Sequence, residues 1–243
     1  MRVLLAGYAA DRYILQHRQI AKTIEQRVLQ MNKAPTIAHD NAPSLTPLVT
    51  LLADDMEQVN AQIVARMASD VPLVPELAGH LIAAGGKRLR PLLTLAGARL
   101  AGGSPHAIGL ATAVEFIHSA TLLHDDVIDE SKLRRGHDTA NALWGNDASV
   151  LEGDFLFARA FELMVETDSL SVLSRLSNAS ARITEGEIKQ MTIAGVADTP
   201  AADYLYVIRN KTAILFAAAI AAGAEVAGAE KTVIDATHNS GLQ

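Results

Sequence analysis

Apolar positions recur three and four residues apart along most of the chain, in alanine-rich runs that lack the alternation of a half-buried strand. The pattern predicts helices over 47–68, 72–84, 89–101, 106–130, 148–166, 169–194, 201–209 and 212–227. The expected class is all-α. Gly102-Gly103-Ser104-Pro105 separates two of these helices, and Asp198-Thr199-Pro200 opens another with a capping residue followed by proline. Within 111–123, Ala113, Val114, Phe116, Ile117, Ala120, Thr121 and Leu123 cover most of the helix surface, so this helix should be buried all round. The longest uncharged apolar stretch, 212–224, is too short to span a bilayer, and no transmembrane segment is expected.

With 243 residues and 49% hydrophobic content the chain can bury the core of one domain, placed at 44–243. Residues 1–43 stand apart. Within 1–33, Arg2, Arg12, Arg18, Lys22, Arg27 and Lys33 outnumber Asp11 and Glu25; the segment is read as a basic, poorly ordered N-terminal extension or the product of an upstream start, with Met31 a second candidate start, and a targeting leader is the alternative. The net charge of −6 and the lack of a basic stripe argue against a nucleic-acid surface. The absence of cysteine excludes disulfides and thiolate chemistry and fits a cytoplasmic protein.

Chemistry concentrates at 122–136, where Asp125, Asp126, Asp129 and Glu130 end the apolar helix and Arg134 and Arg135 follow. Asp125 and Asp129 share a helix face, with Asp126 about 100° round, so the acids are expected to form one compact negative site. Mg²⁺ takes oxygen ligands of this kind, one or two carboxylates with water and substrate phosphate completing the shell. The alternative is a solvated cluster with ion pairs to Lys132, Arg134 and Arg135. His118, two turns before Asp125, would add a polar group to the same wall. A second constellation is Gly85-Gly86-Lys87-Arg88-Leu89-Arg90-Pro91. If a helix starts at the glycine pair, Lys87 and Arg90 project to one side and an anion can sit between them; otherwise the glycines merely end the preceding helix.

Gly-Gly-Lys-x-x-Arg-Pro, then Glu115-x-x-His118-x-x-x-Leu122-x-His124-Asp125-Asp126-x-x-Asp129, then Arg134-Arg135-Gly136, resemble the trans-isoprenyl diphosphate synthases, and within them the long-chain polyprenyl (octaprenyl- and decaprenyl-type) diphosphate synthases. The likeness continues through Trp144-Gly145-Asn146, Leu151-Glu152-Gly153-Asp154, Glu187-x-x-Gln190 and Lys211-Thr212. It implies an isoprenoid-synthase-type helical bundle around a central cavity. It also implies that Lys87, Arg90, His118 and Arg135 hold isopentenyl diphosphate. Asp125, Asp126 and Asp129 would hold Mg²⁺ on an allylic diphosphate, aided by Arg134, Lys211 and Thr212. Short-chain relatives carry a bulky aromatic a turn or so before the acids; Ala120 and Thr121 stand there here, with Phe116 a deeper floor, which implies a long product. A homodimer is the implied assembly.

Members of that family continue past the segment resembling 232–242 into a helix with a second Asp-Asp-x-x-Asp. The expectation is therefore a C-terminally truncated synthase whose last helices are missing. Its alternative function is that of a catalytically impaired fragment or a non-catalytic subunit that binds substrate and pairs with a full-length synthase.

Overall fold

In a computed structural model of the protein, residues 44–83 and 86–242 are described; the 1–43 extension, Ala84, Gly85 and Gln243 lie outside the described residues. Leu45–Ala194 and Asp198–Gln243 belong to one compact unit. Its helices are α1 (Thr46–Leu51), α2 (Ala53–Arg66), α3 (Leu73–Ala83), α4 (Leu89–Leu100), α5 (Ala107–Ile128), α6 (Ala140–Trp144), α7 (Asn146–Val165), α8 (Leu170–Ile193), α9 (Ala201–Ile208), α10 (Ile214–Val226) and α11 (Lys231–Gly241). A short hairpin, β1 (Leu133–Arg134) and β2 (His137–Asp138), follows α5.

The helix with apolar residues on every side is the central one. Leu110, Ala113, Val114, Phe116, Ile117 and Ala120 of α5 are buried, and α7, α4 and α2 pack around them. Each large side chain so buried contributes about 1.5–3 kcal/mol. On the opposite flank α10 lies along α4 at backbone distance. A Cβ on Gly97 would overlap the Ile220 carbonyl, and one on Gly223 the Thr94 carbonyl. Glycine is required at both positions because two backbones occupy the space of a side chain.

Four features depart from the sequence pattern. The first helix breaks at Leu52 (φ −108°, ψ 15°) into α1 and α2. The 201–227 region is continuous: α9 passes into α10 through a π-turn, Arg209–Ala213. The hairpin is too short to carry an alternating pattern; its turn residues Arg135 and Gly136 have φ of 54° and 84°, the left-handed pair of a type I′ turn. Helix α11 has no strong helix signal, since Thr232, Val233, Thr237 and Asn239 are weak formers. Burial of Ile234 and Thr237 holds it against the rest of the fold.

Two helices, Ala107–Ile128 and Ala201–Val226, have the length and composition to cross a membrane. The first is mostly buried inside the protein, the signature of a core helix, and the second is interrupted by the charged π-turn.

Candidate functional site

The C-terminal end of α5 carries the acids, and the hairpin folds back over it. Thr139 Oγ1 donates to the Ser131 carbonyl at 2.7 Å, and Asn141 Nδ2 donates to the carbonyls of Asp126 (3.2 Å) and Ser131 (3.0 Å). This ties Arg134 above Asp126. The guanidinium donates to both carboxylate oxygens, with Nη2 at 2.8 Å and Nε at 3.0 and 3.1 Å. Asp126 is buried, so the bidentate pair is charge-assisted and fixes the arginine.

The single cluster expected of the three acids is therefore divided. Both oxygens of Asp126 face Arg134, while Asp125 faces α8 and the π-turn, because neighbouring residues on a helix point about 100° apart. Lys211 Nζ lies 2.7 Å from Glu187 Oε2 and 3.7 Å from Asp125 Oδ2. Burial, then repulsion from Glu187, pushes the Asp125 carboxyl up to about 6, against the pull of Lys211; Asp129 adds to the rise. The Oε1 of Glu187 is buried without a hydrogen-bond partner. Negative charge here exceeds what Lys211 neutralises. That surplus, with oxygen-only donors, fits a hard divalent cation. Among the described residues no three His, Cys, Asp or Glu groups close a metal site by themselves.

Across Arg134 opens a cavity of about 580 Å³, walled by Lys87, Arg88, Arg90, His118, Arg134 and Arg135, with Phe216 at its base. Arg88 and Arg90 are each seated by a neighbour. Arg88 pairs with the buried Glu115. The Arg90 guanidinium lies 4.3 Å over the Phe216 ring, and its Nε is buried with no partner. Burial lowers the Arg90 pKa, the response of a cation short of an anion. Burial, followed by the charges of Arg90, Arg134, Arg135 and Arg88, pushes His118 down to about 3, so its ring is neutral and can donate one N–H.

Lys87, Arg90, His118, Arg134 and Arg135 thus meet at one cavity, and Asp125, Asp129 and Lys211 lie within electrostatic reach of one another beyond it. The helical start expected at the glycine pair is displaced: α4 begins at Leu89 and Arg88 takes a left-handed conformation (φ 47°, ψ 36°). Lys87 therefore precedes the helix, and it meets Arg90 through the cavity wall rather than on a shared helix face. Thr212 lies elsewhere, in an apolar groove of about 820 Å³ with Leu93, Leu205, Ile208, Phe216 and Leu242. The chain-length positions lie on α5. Phe116 and Ala120 are closed into the core, Thr121 Oγ1 donates to the His118 carbonyl at 2.7 Å, and none of the three lines either cavity.

Arg88, Glu115, Glu187 and Phe216 were not assigned roles from the sequence. Glu115 and Glu187 do carry a signal, an acid on a face otherwise buried, but their partners lie 27 and 24 residues away. His124 has a structural place. Its Nε2 is 3.2 Å from the Val150 carbonyl and 3.5 Å from Asp154, in a space that a Cβ on Gly153 would fill.

Residues 71–243 match the polyprenyl synthetase family. The chain belongs to that family. It is 48% identical over 187 residues to the octaprenyl diphosphate synthase of Haemophilus influenzae, covering 76% of this chain and 56% of that protein. The polyprenyl synthase of Caulobacter crescentus CB15, solved with calcium and isoprenyl diphosphate, superposes with a TM-score of 0.79 at 55% identity, over 82% of this chain and 61% of the other. A decaprenyl diphosphate synthase from Rhodobacter capsulatus gives a TM-score of 0.79 at 53% identity, over 82% and 62%. The chain thus spans under two thirds of the length of these relatives.

Proposed function

We propose that this chain binds isopentenyl diphosphate in the basic cavity and an allylic diphosphate at the acidic face, as a Mg²⁺-dependent prenyltransferase making a long-chain all-trans polyprenyl diphosphate. The observation that supports this most is the position of Arg134, which lines the basic cavity while bonding Asp126 within reach of Asp125 and Asp129. One residue then stands between two diphosphates.

Arg90, with its unpartnered Nε, Lys87 and neutral His118 would orient the homoallylic diphosphate. Asp125 and Asp129 would hold Mg²⁺, with Glu187 adjacent; the metal would supply charge neutralisation on the departing diphosphate. Lys211 and Arg134 present fixed positive charge to that leaving group, stabilising it more as its charge grows. Leu122 and Phe216 keep the reacting end apolar, which shields an allylic cation from water.

The direct test is incubation of the chain with isopentenyl diphosphate, an allylic diphosphate and Mg²⁺, with products resolved by mass spectrometry. A ladder of lengthened all-trans polyprenyl diphosphates supports the reading. Both substrates bound but unchanged would favour a second one, a substrate-binding subunit that pairs with a full-length synthase. Exposed apolar residues on α7, including Leu151, Phe161 and Val165, favour pairing with another chain, in a homodimer or such a mixed pair.

A further inference from the structure

Among the described residues, the π-turn between α9 and α10 is where a helix is locally under-wound beside the acidic cluster, and its geometry is supported from two sides. An i→i+5 turn adds a residue to the helix and rotates everything after it, and such turns recur at functional sites. Here the turn is Arg209–Ala213. Asn210 within it is buried, and its Nδ2 donates to the Tyr206 carbonyl at 3.0 Å, at the point where the ordinary i→i+4 ladder gives way. From the other side α8 approaches through a bare backbone: a Cβ on Gly186 would lie 2.9 Å from the Lys211 amide nitrogen and 3.1 Å from Asn210 Cβ. The residue after Gly186 is Glu187, which receives Lys211 at 2.7 Å.

The rotation has consequences in both directions. It aims Lys211 at Glu187 and Asp125, and it sets the phase of α10 so that Phe216 lies beneath Arg90 and Gly223 against Thr94. Acidic face and basic cavity thereby share one mechanical element. We propose that Asn210 is a positioning residue: its side chain, with Cβ against Gly186 and the amide on the Tyr206 carbonyl, maintains the π-turn that holds Lys211 on the acidic cluster. The functional meaning of that placement rests on the diphosphate-binding reading above, but the placement itself does not.

Two readouts separate the two claims. The first needs no ligand. The rate of Lys211 acetylation is measured by mass spectrometry relative to the exposed Lys231 of the same protein, for the wild type, Asn210→Leu and Gly186→Ala. Both variants are expected to raise the Lys211 rate several-fold; an unchanged ratio in both overturns the proposal. The second is calorimetric binding of inorganic diphosphate with Mg²⁺. Asn210→Leu is expected to weaken it about tenfold, the scale of one charge-assisted contact, and to have under about a twofold effect in a Lys211→Met background. Equal losses in both backgrounds would mean that Asn210 serves only general packing, and would overturn the proposal. If the wild type binds no diphosphate, the functional reading falls while acetylation still decides the positioning claim. Should Asn210→Leu fail to fold, Asn210→Ala carries the same comparison.

Discussion

The basic cavity and the acidic face lie on either side of Arg134, yet they are built on opposite principles. In the cavity the surplus is positive and held in place: Arg88 has Glu115, Arg90 has only the Phe216 ring, and His118 is held neutral. On the acidic face, charge is left over, with Asp125 raised to about 6 and Glu187 Oε1 unpartnered. Preorganised donors can receive an anion directly, whereas crowded carboxylates need a cation before an anion can approach. The two proposed diphosphate sites should therefore differ in metal dependence.

The largest expected effect is on the crowded side. Asp125→Ala should lower Mg²⁺-dependent turnover by at least about a hundredfold, the scale of losing a main electrostatic group, and leave isopentenyl diphosphate affinity within about twofold. Steady-state kinetics with each substrate varied checks both halves.

Glu152 offers a control, an acid in the core of α7 with an unpartnered Oε1 and no mechanistic task. Burial pushes its carboxyl up to about 7 from an ordinary 4.5. The folded state then holds the proton more tightly than the unfolded chain, so this contribution is full below about pH 4.5 and is lost as pH rises through about 7. Glu152→Leu should remove that slope and stabilise the protein at pH 7.5 by on the order of 3 kcal/mol, measured by chemical denaturation at pH 5 and 7.5. A slope that survives would show that another group carries it.

Lys87→Ala acts on the basic side and should raise the apparent binding constant for isopentenyl diphosphate about tenfold with little change in maximal rate. The mildest perturbation is pH. Lowering it from 7.5 to 5.5 protonates Asp125 and should weaken Mg²⁺-dependent binding about fourfold, while His118, already neutral, leaves the cavity unaffected. Titration calorimetry at the two values reads both.

The sequence made some of this visible and concealed the rest for identifiable reasons. Helix α5 declares itself because its apolar residues surround the axis and its acids follow at helical spacing. The basic heptapeptide is equally plain, but Arg88 in a left-handed conformation shifts the helix start and turns a shared helix face into a cavity wall. Asp126, about 100° round the helix, was grouped with Asp125 and Asp129 in one negative site, and periodicity does not show that the hairpin brings Arg134 over it. Glu115, Glu187 and Phe216 acquire their partners through tertiary packing, which periodicity does not encode. The π-turn is hidden because Arg209, Asn210 and Lys211 read as a break between two helices, and one extra residue per turn leaves no compositional trace. Ala120 and Phe116 were legible as helix-core residues, and the structure keeps them there.

The most direct test of the two-sided account is calorimetric titration with a non-reactive diphosphate analogue, with and without Mg²⁺, in the wild type, Lys87→Ala and Asp125→Ala. The account predicts two classes of site: a metal-independent one lost in Lys87→Ala and a metal-dependent one lost in Asp125→Ala. A single class, or equal dependence of both on Mg²⁺, would contradict it.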